Sequence, residues 1–312
     1  MSQTLAAAIT KAASRQTYYT FRLLGDRERV EDAYRAYAYF RWVDDTLDAP
    51  SDPALGEDAR VEQSRFLERQ QSLLAACLRG EPPHDTSPHE GLLVELVRDG
   101  GPDAAGLHAY LLNMMRVMEF DAARRGRLIW QAELTEYTGW LAIAVTENLH
   151  YVIGHGAFAP HDETRYLAVT GAHIVHMLRD TFDDLRLGYY NVPREILEAG
   201  GIGPHDVHSE AYRAWVERRV RLARACFDAG RSYFARVRSA RHRLAGLAYI
   251  ARFEWLIETL EREGFRLRPH YADRKSFGAG LRMSWLILSS MLSAPGSVTV
   301  SPAIAVSGDA GR

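Results

Sequence analysis

Helical periodicity runs through almost the whole chain and limits its possible folds more than any other feature. Apolar residues recur at three- and four-residue steps through Val30–Leu47, Val61–Leu78, Leu107–Met118, Leu134–Ile153, Glu163–Leu187, Ala211–Ala235 and Leu244–Leu260. Runs alternating with period two are scarce. Breakers fall between the helical runs, at Ala49–Pro53, Gly80–Pro88, Asp99–Asp103, Gly154–Asp162 and Ala199–His205. No unit of 20–50 residues repeats, which excludes a solenoid. The expectation is an all-α chain with one domain over residues 1–290. Residues 291–312, small, polar and broken by Pro295, Gly296 and Pro302, read as a disordered tail.

Composition narrows the classes further. With 47% hydrophobic and 25% charged residues, the 312-residue chain is neither a disordered nor a collagen-like sequence. Acidic and basic residues nearly cancel, 40 against 38, which argues against nucleic-acid binding through displaced counterions. Lysine occurs only at Lys11 and Lys275, so a phosphate site must rely on arginine or metal. Cys77 and Cys226 form no ligand cluster and suggest a reducing compartment. The N-terminus lacks the apolar core of a signal peptide. The uncharged stretch Met283–Gly308 is too interrupted for a membrane span. A cytoplasmic protein with at most peripheral membrane contact is expected.

Two carboxylate clusters carry the chemistry. Arg41-Trp42-Val43-Asp44-Asp45-Thr46-Leu47-Asp48 closes a strongly helical run rich in aromatics. Asp44 and Asp48 are four apart, so both project from one helix face, where like charges repel. Arg41, one turn earlier, could hold a phosphate or pair with the acids. Alone, such a DxxxD could be a helix end with solvated acids. A second element weighs against that: in His173–Asp184, the residues His176, Asp180 and Asp184 are successively four apart, with Arg179 beside the first acid and His173 at the edge of the face. Two such elements suggest two acidic helices facing each other. Carboxylate oxygens suit hard cations, and Mg²⁺ prefers a few carboxylates plus waters and substrate phosphates. The ligand so implied is a diphosphate bridged through Mg²⁺, with arginines on its remaining oxygens. A His₂Asp₂ transition-metal site is a rival reading, but it leaves the first DxxxD unexplained.

These residues resemble the squalene/phytoene synthase family of all-α prenyltransferases. Tyr37–Asp48 is similar to that family's YxxxRxxDDxxD stretch, and Arg179–Asp184 to its RDxxED segment with Asp183 in place of Glu. Gly188 and Pro193 keep the ends of the following GRxYxP. Met118–Asp121, Glu133-Leu134 and Tyr137 resemble the segment between the motifs, and Tyr249–Gly264 resembles the C-terminal helix. The similarity runs from about Thr17 to Leu288. It implies a helical bundle of the isoprenoid synthase type with a central cavity, Mg²⁺ dependence, and ionisation of a prenyl diphosphate followed by carbon–carbon bond formation. The metal ligands so implied are Asp44, Asp45, Asp48, Asp180, Asp183 and Asp184. Arg41 and Arg179 would bind diphosphate; Tyr18, Tyr37 and Tyr249 would line the cavity.

The departures matter as much. Where the family has VAGxVG along its apolar tunnel, this chain has Leu141–Thr146, so that Ile143 and Thr146 replace glycines and add bulk where a long prenyl tail would lie. His173 and His176 stand where the family has Gln and Asn. Gly188-Tyr189-Tyr190-Asn191-Val192-Pro193 loses the Arg of GRxYxP and shifts the aromatics. A short donor such as dimethylallyl diphosphate, and a small aromatic acceptor of secondary metabolism, would explain these changes. Some family members of this kind prenylate carbazoles. His173 or His176, as neutral imidazole, would take the proton released when the acceptor rearomatises, with Tyr137 alongside. Head-to-head condensation of two long prenyl diphosphates is the alternative. A non-catalytic helical binding protein is a third reading, against which both Asp motifs stand intact. The expected partners are prenyl diphosphate and a small acceptor, in a monomer or homodimer. Arg213–Arg224 reads as a solvated helix face.

Overall fold

The computed structural model describes residues 2–49, 56–101 and 103–271. Among these there are eleven helices and no strand, as the periodicity predicts. They are α1 (Ser2–Ala13), α2 (Arg15–Leu24), α3 (Val30–Asp48), α4 (Gly56–Leu78), α5 (Pro88–Asp99), α6 (Ala105–Arg124), α7 (Gln131–Val152), α8 (Leu167–Leu187), α9 (Arg194–Gly200), α10 (Glu210–Arg236) and α11 (Ala240–Arg262). Most of the expected breaker at residues 49–53, the end of the expected domain (residues 272–290) and the tail 291–312 lie outside the described residues. No described helix is long and apolar enough to cross a membrane.

Contacts divide the chain into two compact units: residues 1–123 with 143–156, and residues 124–142 with 157–312. The division passes through α7. In the first unit α3 packs against α1, α2 and α5. Its buried positions Ala36, Tyr39, Phe40, Val43 and Leu47 follow a three- and four-residue rhythm. That stripe leaves Arg41, Asp44, Asp45 and Asp48 partly or fully in water. The start of α5 differs from the sequence reading, which placed a breaker there. Ser87 caps the helix by accepting from the Glu90 amide, the Glu90 carboxylate accepts from the Ser87 amide in return, and Pro88 sits inside the first turn, where its missing N–H costs nothing. The buried Glu90 carboxylate is held well below the usual range, to about 2, chiefly by hydrogen bonds from Arg69.

In the second unit α8, α10 and α11 pack together around Val175, Val220, Phe227 and Leu260, all essentially without exposure. Gly230 lets α10 approach α8 closely, because a Cβ there would lie 2.8–3.2 Å from Ala168 atoms, including backbone. Glu163 lies outside α8. The Asp162 carboxylate accepts from the amide and hydroxyl of Thr164 and so favours a turn, and the helix starts at Leu167. At the other end Gly188 takes a left-handed conformation (φ 85°), and its amide and that of Tyr189 both donate to the Asp184 carbonyl. Only glycine takes this backbone shape without strain. The reversal sends the following segment back alongside the acid-bearing last turns of α8.

Candidate active site

The first motif lies in the first unit, on the exposed edge of α3. Arg41 holds Asp45 with two guanidinium hydrogen bonds, one from Nε at 3.0 Å, and stands 3.5 Å from Asp44. Side chains of this trio are 40–56% exposed, so the pairing contributes under about 1 kcal/mol and is easily exchanged for a phosphate. Asp44 is the perturbed member. Although two-fifths of its side chain meets water, crowding by surrounding protein first, then the carboxylate of Asp48, raise its pKa to about 6 against the opposing pull of Arg41. Asp121 on α6 and Asp45 add to the push. Asp121 therefore belongs to this acidic group, although the sequence reading did not place it among the ligands; its only signal was the Met118–Asp121 similarity. Excess negative charge of this kind is what a divalent cation relieves.

Other expected residues of this unit have packing partners. Tyr18 stacks on Tyr34 at 5.1 Å, meets Tyr19 edge-on, and accepts a hydrogen bond from Arg22. Tyr37 and Ile143 are half-buried. Thr146 is buried, and its hydroxyl finds no hydrogen-bond partner.

The second motif lies in the second unit, along α8. Arg179 donates to Asp180, with Nε 2.6 Å from Oδ1. Asp183 points off the shared face, is exposed, and pairs with Arg186. Asp184 accepts a 2.6 Å hydrogen bond from the side-chain amide of Asn191. One and two turns earlier lie His176, against the Phe253 ring at 4.8 Å, and His173, edge-on to Tyr137 at 5.1 Å. Phe253 also meets Tyr249, whose hydroxyl burial pushes up to about 12. His173 is 8% exposed, and its Nε2 is buried without a partner. Burial lowers its basicity to about 3, and the guanidiniums of Arg219 and Arg124 push the same way. His173 is thus a neutral imidazole across the working pH range.

One sequence expectation is corrected here. The run Arg213–Arg224 is not uniformly solvated, because Arg219 turns inward and burial depresses it to about 10. Its neighbours Arg213, Arg221 and Arg224 do follow the expectation, paired with Glu210, Glu217 and Glu261.

Among the described residues no three of His, Cys, Asp and Glu gather tightly enough to cage a metal by themselves. All-oxygen pairs of carboxylates at helical spacing, with arginines beside them, fit a hard cation that completes its shell with water and phosphate. They fit a caged zinc or copper poorly.

An all-α chain with two acid-bearing helices of this design has the features of an enzyme acting on prenyl diphosphates. The sequence profile of the squalene/phytoene synthase family matches residues 10–277, and the protein belongs to that family of prenyl-diphosphate-using enzymes. Among solved structures it is similar to squalene synthase HpnC from Alicyclobacillus acidocaldarius. The TM-score is 0.68 at 20% identity, covering 86% of this chain and 95% of that one. It is also similar to a dehydrosqualene synthase in complex with ligand, with a TM-score of 0.67 at 16% identity over 93% and 95% of the two chains. At these identities the likeness concerns the fold. No curated protein sequence matches the chain.

A carboxylate held near 6 has a testable consequence. Folding favours the protonated form of Asp44, so its stabilising contribution is complete below pH 4 and is lost as pH rises through about 6. Asp44→Asn removes this dependence. Thermal melts of the metal-free protein should show a melting temperature at pH 7.5 raised by about 2–4 °C, with a flatter slope between pH 4 and 6. An unchanged slope would show that Asp44 is an ordinary solvated acid.

Proposed function

We propose that the protein is a Mg²⁺-dependent prenyltransferase joining a short allylic donor, such as dimethylallyl diphosphate, to a carbon of a small aromatic acceptor. In this reading Asp44, Asp48, Asp180 and Asp184 would hold Mg²⁺ and, through it, the diphosphate. Asp183 stays in its pair with Arg186, whereas Asp45 is released into water when Arg41 turns to phosphate. When bound, Mg²⁺ neutralises charge developing on the diphosphate as the allylic carbon–oxygen bond breaks. Arg41 and Arg179 exchange their carboxylate partners for phosphate oxygens. Tyr37 and Tyr249 offer ring faces to the allylic cation. The electron pair leaves with the diphosphate, and the acceptor's π electrons form the new carbon–carbon bond. The proton lost from that carbon goes to the imidazole of His173 or His176. We treat residues 1–290 as one catalytic domain. The buried, unpaired thiols of Cys77 and Cys226 agree with a reducing cytoplasm.

The observation that carries the acceptor assignment is His173, buried, neutral and with an unpartnered Nε2. A buried polar atom without a partner costs about 1–3 kcal/mol, so its retention argues for use. Its low basicity suits a base that acts only once the diphosphate anion raises its proton affinity. The second reading, head-to-head condensation, is favoured by the squalene and dehydrosqualene synthases among the structural relatives. Incubation with labelled farnesyl or geranylgeranyl diphosphate and Mg²⁺ separates the two. The aromatic reading expects no hydrocarbon product, and efficient formation of a C30 or C40 hydrocarbon would replace it with the second.

A further inference from the structure

The segment after α8 departs from GRxYxP, and its geometry supplies a reason. Asn191 is 5% exposed and bridges two charged groups. Its Oδ1 accepts from Arg124 Nη1 at 2.8 Å, and its Nδ2 donates to Asp184 Oδ2 at 2.6 Å. The direction of this relay is fixed by chemistry. A guanidinium can only donate and an ionised carboxylate can only accept, so the amide has one satisfying orientation. Arg124 is equally buried and is clamped between two rings, 5.0 Å from the centroid of Tyr137 and 4.8 Å from that of Tyr189. The left-handed Gly188 and the bond from the Gly126 amide to the Gly188 carbonyl (2.9 Å) fix the backbone that presents Asn191.

We propose that Asn191 is a positioning residue that sets the orientation of the Asp184 carboxylate for divalent metal, with Arg124 holding Asn191 in register. This rests on the assignment of Asp184 as a ligand. Outer partners of this kind change metal affinity by about 10–100-fold when removed.

The test is titration of the full-length protein with Mn²⁺ in the presence of inorganic diphosphate, followed by electron paramagnetic resonance, with melting curves alongside. Asn191→Ala and Asn191→Asp should each raise the apparent Kd for Mn²⁺ by about 10–100-fold while the protein stays folded. Asn191→Asp keeps the volume and gives Arg124 a better partner, so it separates metal positioning from fold support should the alanine variant unfold. It removes the donor to Asp184 and sets a second carboxylate against it. A melting temperature held or raised, together with weakened Mn²⁺ binding, is the expected result. Mn²⁺ binding by Asn191→Asp within twofold of the unaltered protein overturns the proposal if Asp184→Ala abolishes binding. If Asp184→Ala also binds normally, the ligand assignment itself falls, and this proposal with it.

Discussion

Asp180→Ala is expected to lower kcat/KM for prenyl diphosphate by about a thousandfold or more, equivalent to ~4 kcal/mol of lost transition-state stabilisation. The loss should appear in kcat, because under the proposed mechanism metal and arginine contacts to the leaving group would strengthen as the carbon–oxygen bond breaks. Removing Asp180 also releases Arg179, which now donates to it, so binding of the intact diphosphate need not weaken. Asp183→Ala is the contrasting variant. Its carboxylate is exposed and paired with Arg186, and its loss should change turnover by less than about threefold. Steady-state kinetics on the two purified variants, with melting curves to confirm folding, provide the check. Equal effects at the two positions would show that the face shared by His176, Asp180 and Asp184 has no special role.

The double change Ile143→Gly and Thr146→Gly is expected to move donor preference toward longer prenyl chains. Both residues fall where the resemblance to the family's VAGxVG stretch would place glycine, and Thr146 is buried with its hydroxyl unpartnered. Removing that bulk opens space for further isoprene units, and each methylene accommodated or rejected in an apolar site is worth about 1–3 kcal/mol. The ratio of kcat/KM for farnesyl over dimethylallyl diphosphate should rise by about 100-fold. Two glycines within α7 will cost about 2 kcal/mol of stability, so the ratio within one preparation is the proper readout rather than the absolute rate. A ratio unchanged in a folded variant would remove chain-length selection from this stretch of α7.

How much of this was legible in the sequence depended on range. The acid-bearing helices α3 and α8 were readable because their apolar stripes and their four-residue acid spacing are local properties of one helix. The start of α5 was misjudged, since Ser87, Pro88 and Glu90 look like a breaker until their reciprocal cap is seen. Burial of Arg219 was hidden inside a run of arginines whose other members are solvated. Asp121 shares charge with Asp44 across two helices, and spacing along one helix does not report that. The Arg124–Asn191–Asp184 relay was the least accessible. It joins residues seven and sixty-seven positions apart through a left-handed Gly188, and neither propensity nor periodicity encodes such a contact.

The most direct measurement of the central claim is release of diphosphate from labelled C5, C10, C15 and C20 prenyl diphosphates, with Mg²⁺ or with chelator. The account predicts release from at least one donor, dimethylallyl diphosphate first among them, that stops when Mg²⁺ is chelated and is lost in Asp180→Ala. Folded protein that releases no diphosphate from any chain length in Mg²⁺, or releases it equally well with chelator, would contradict the account.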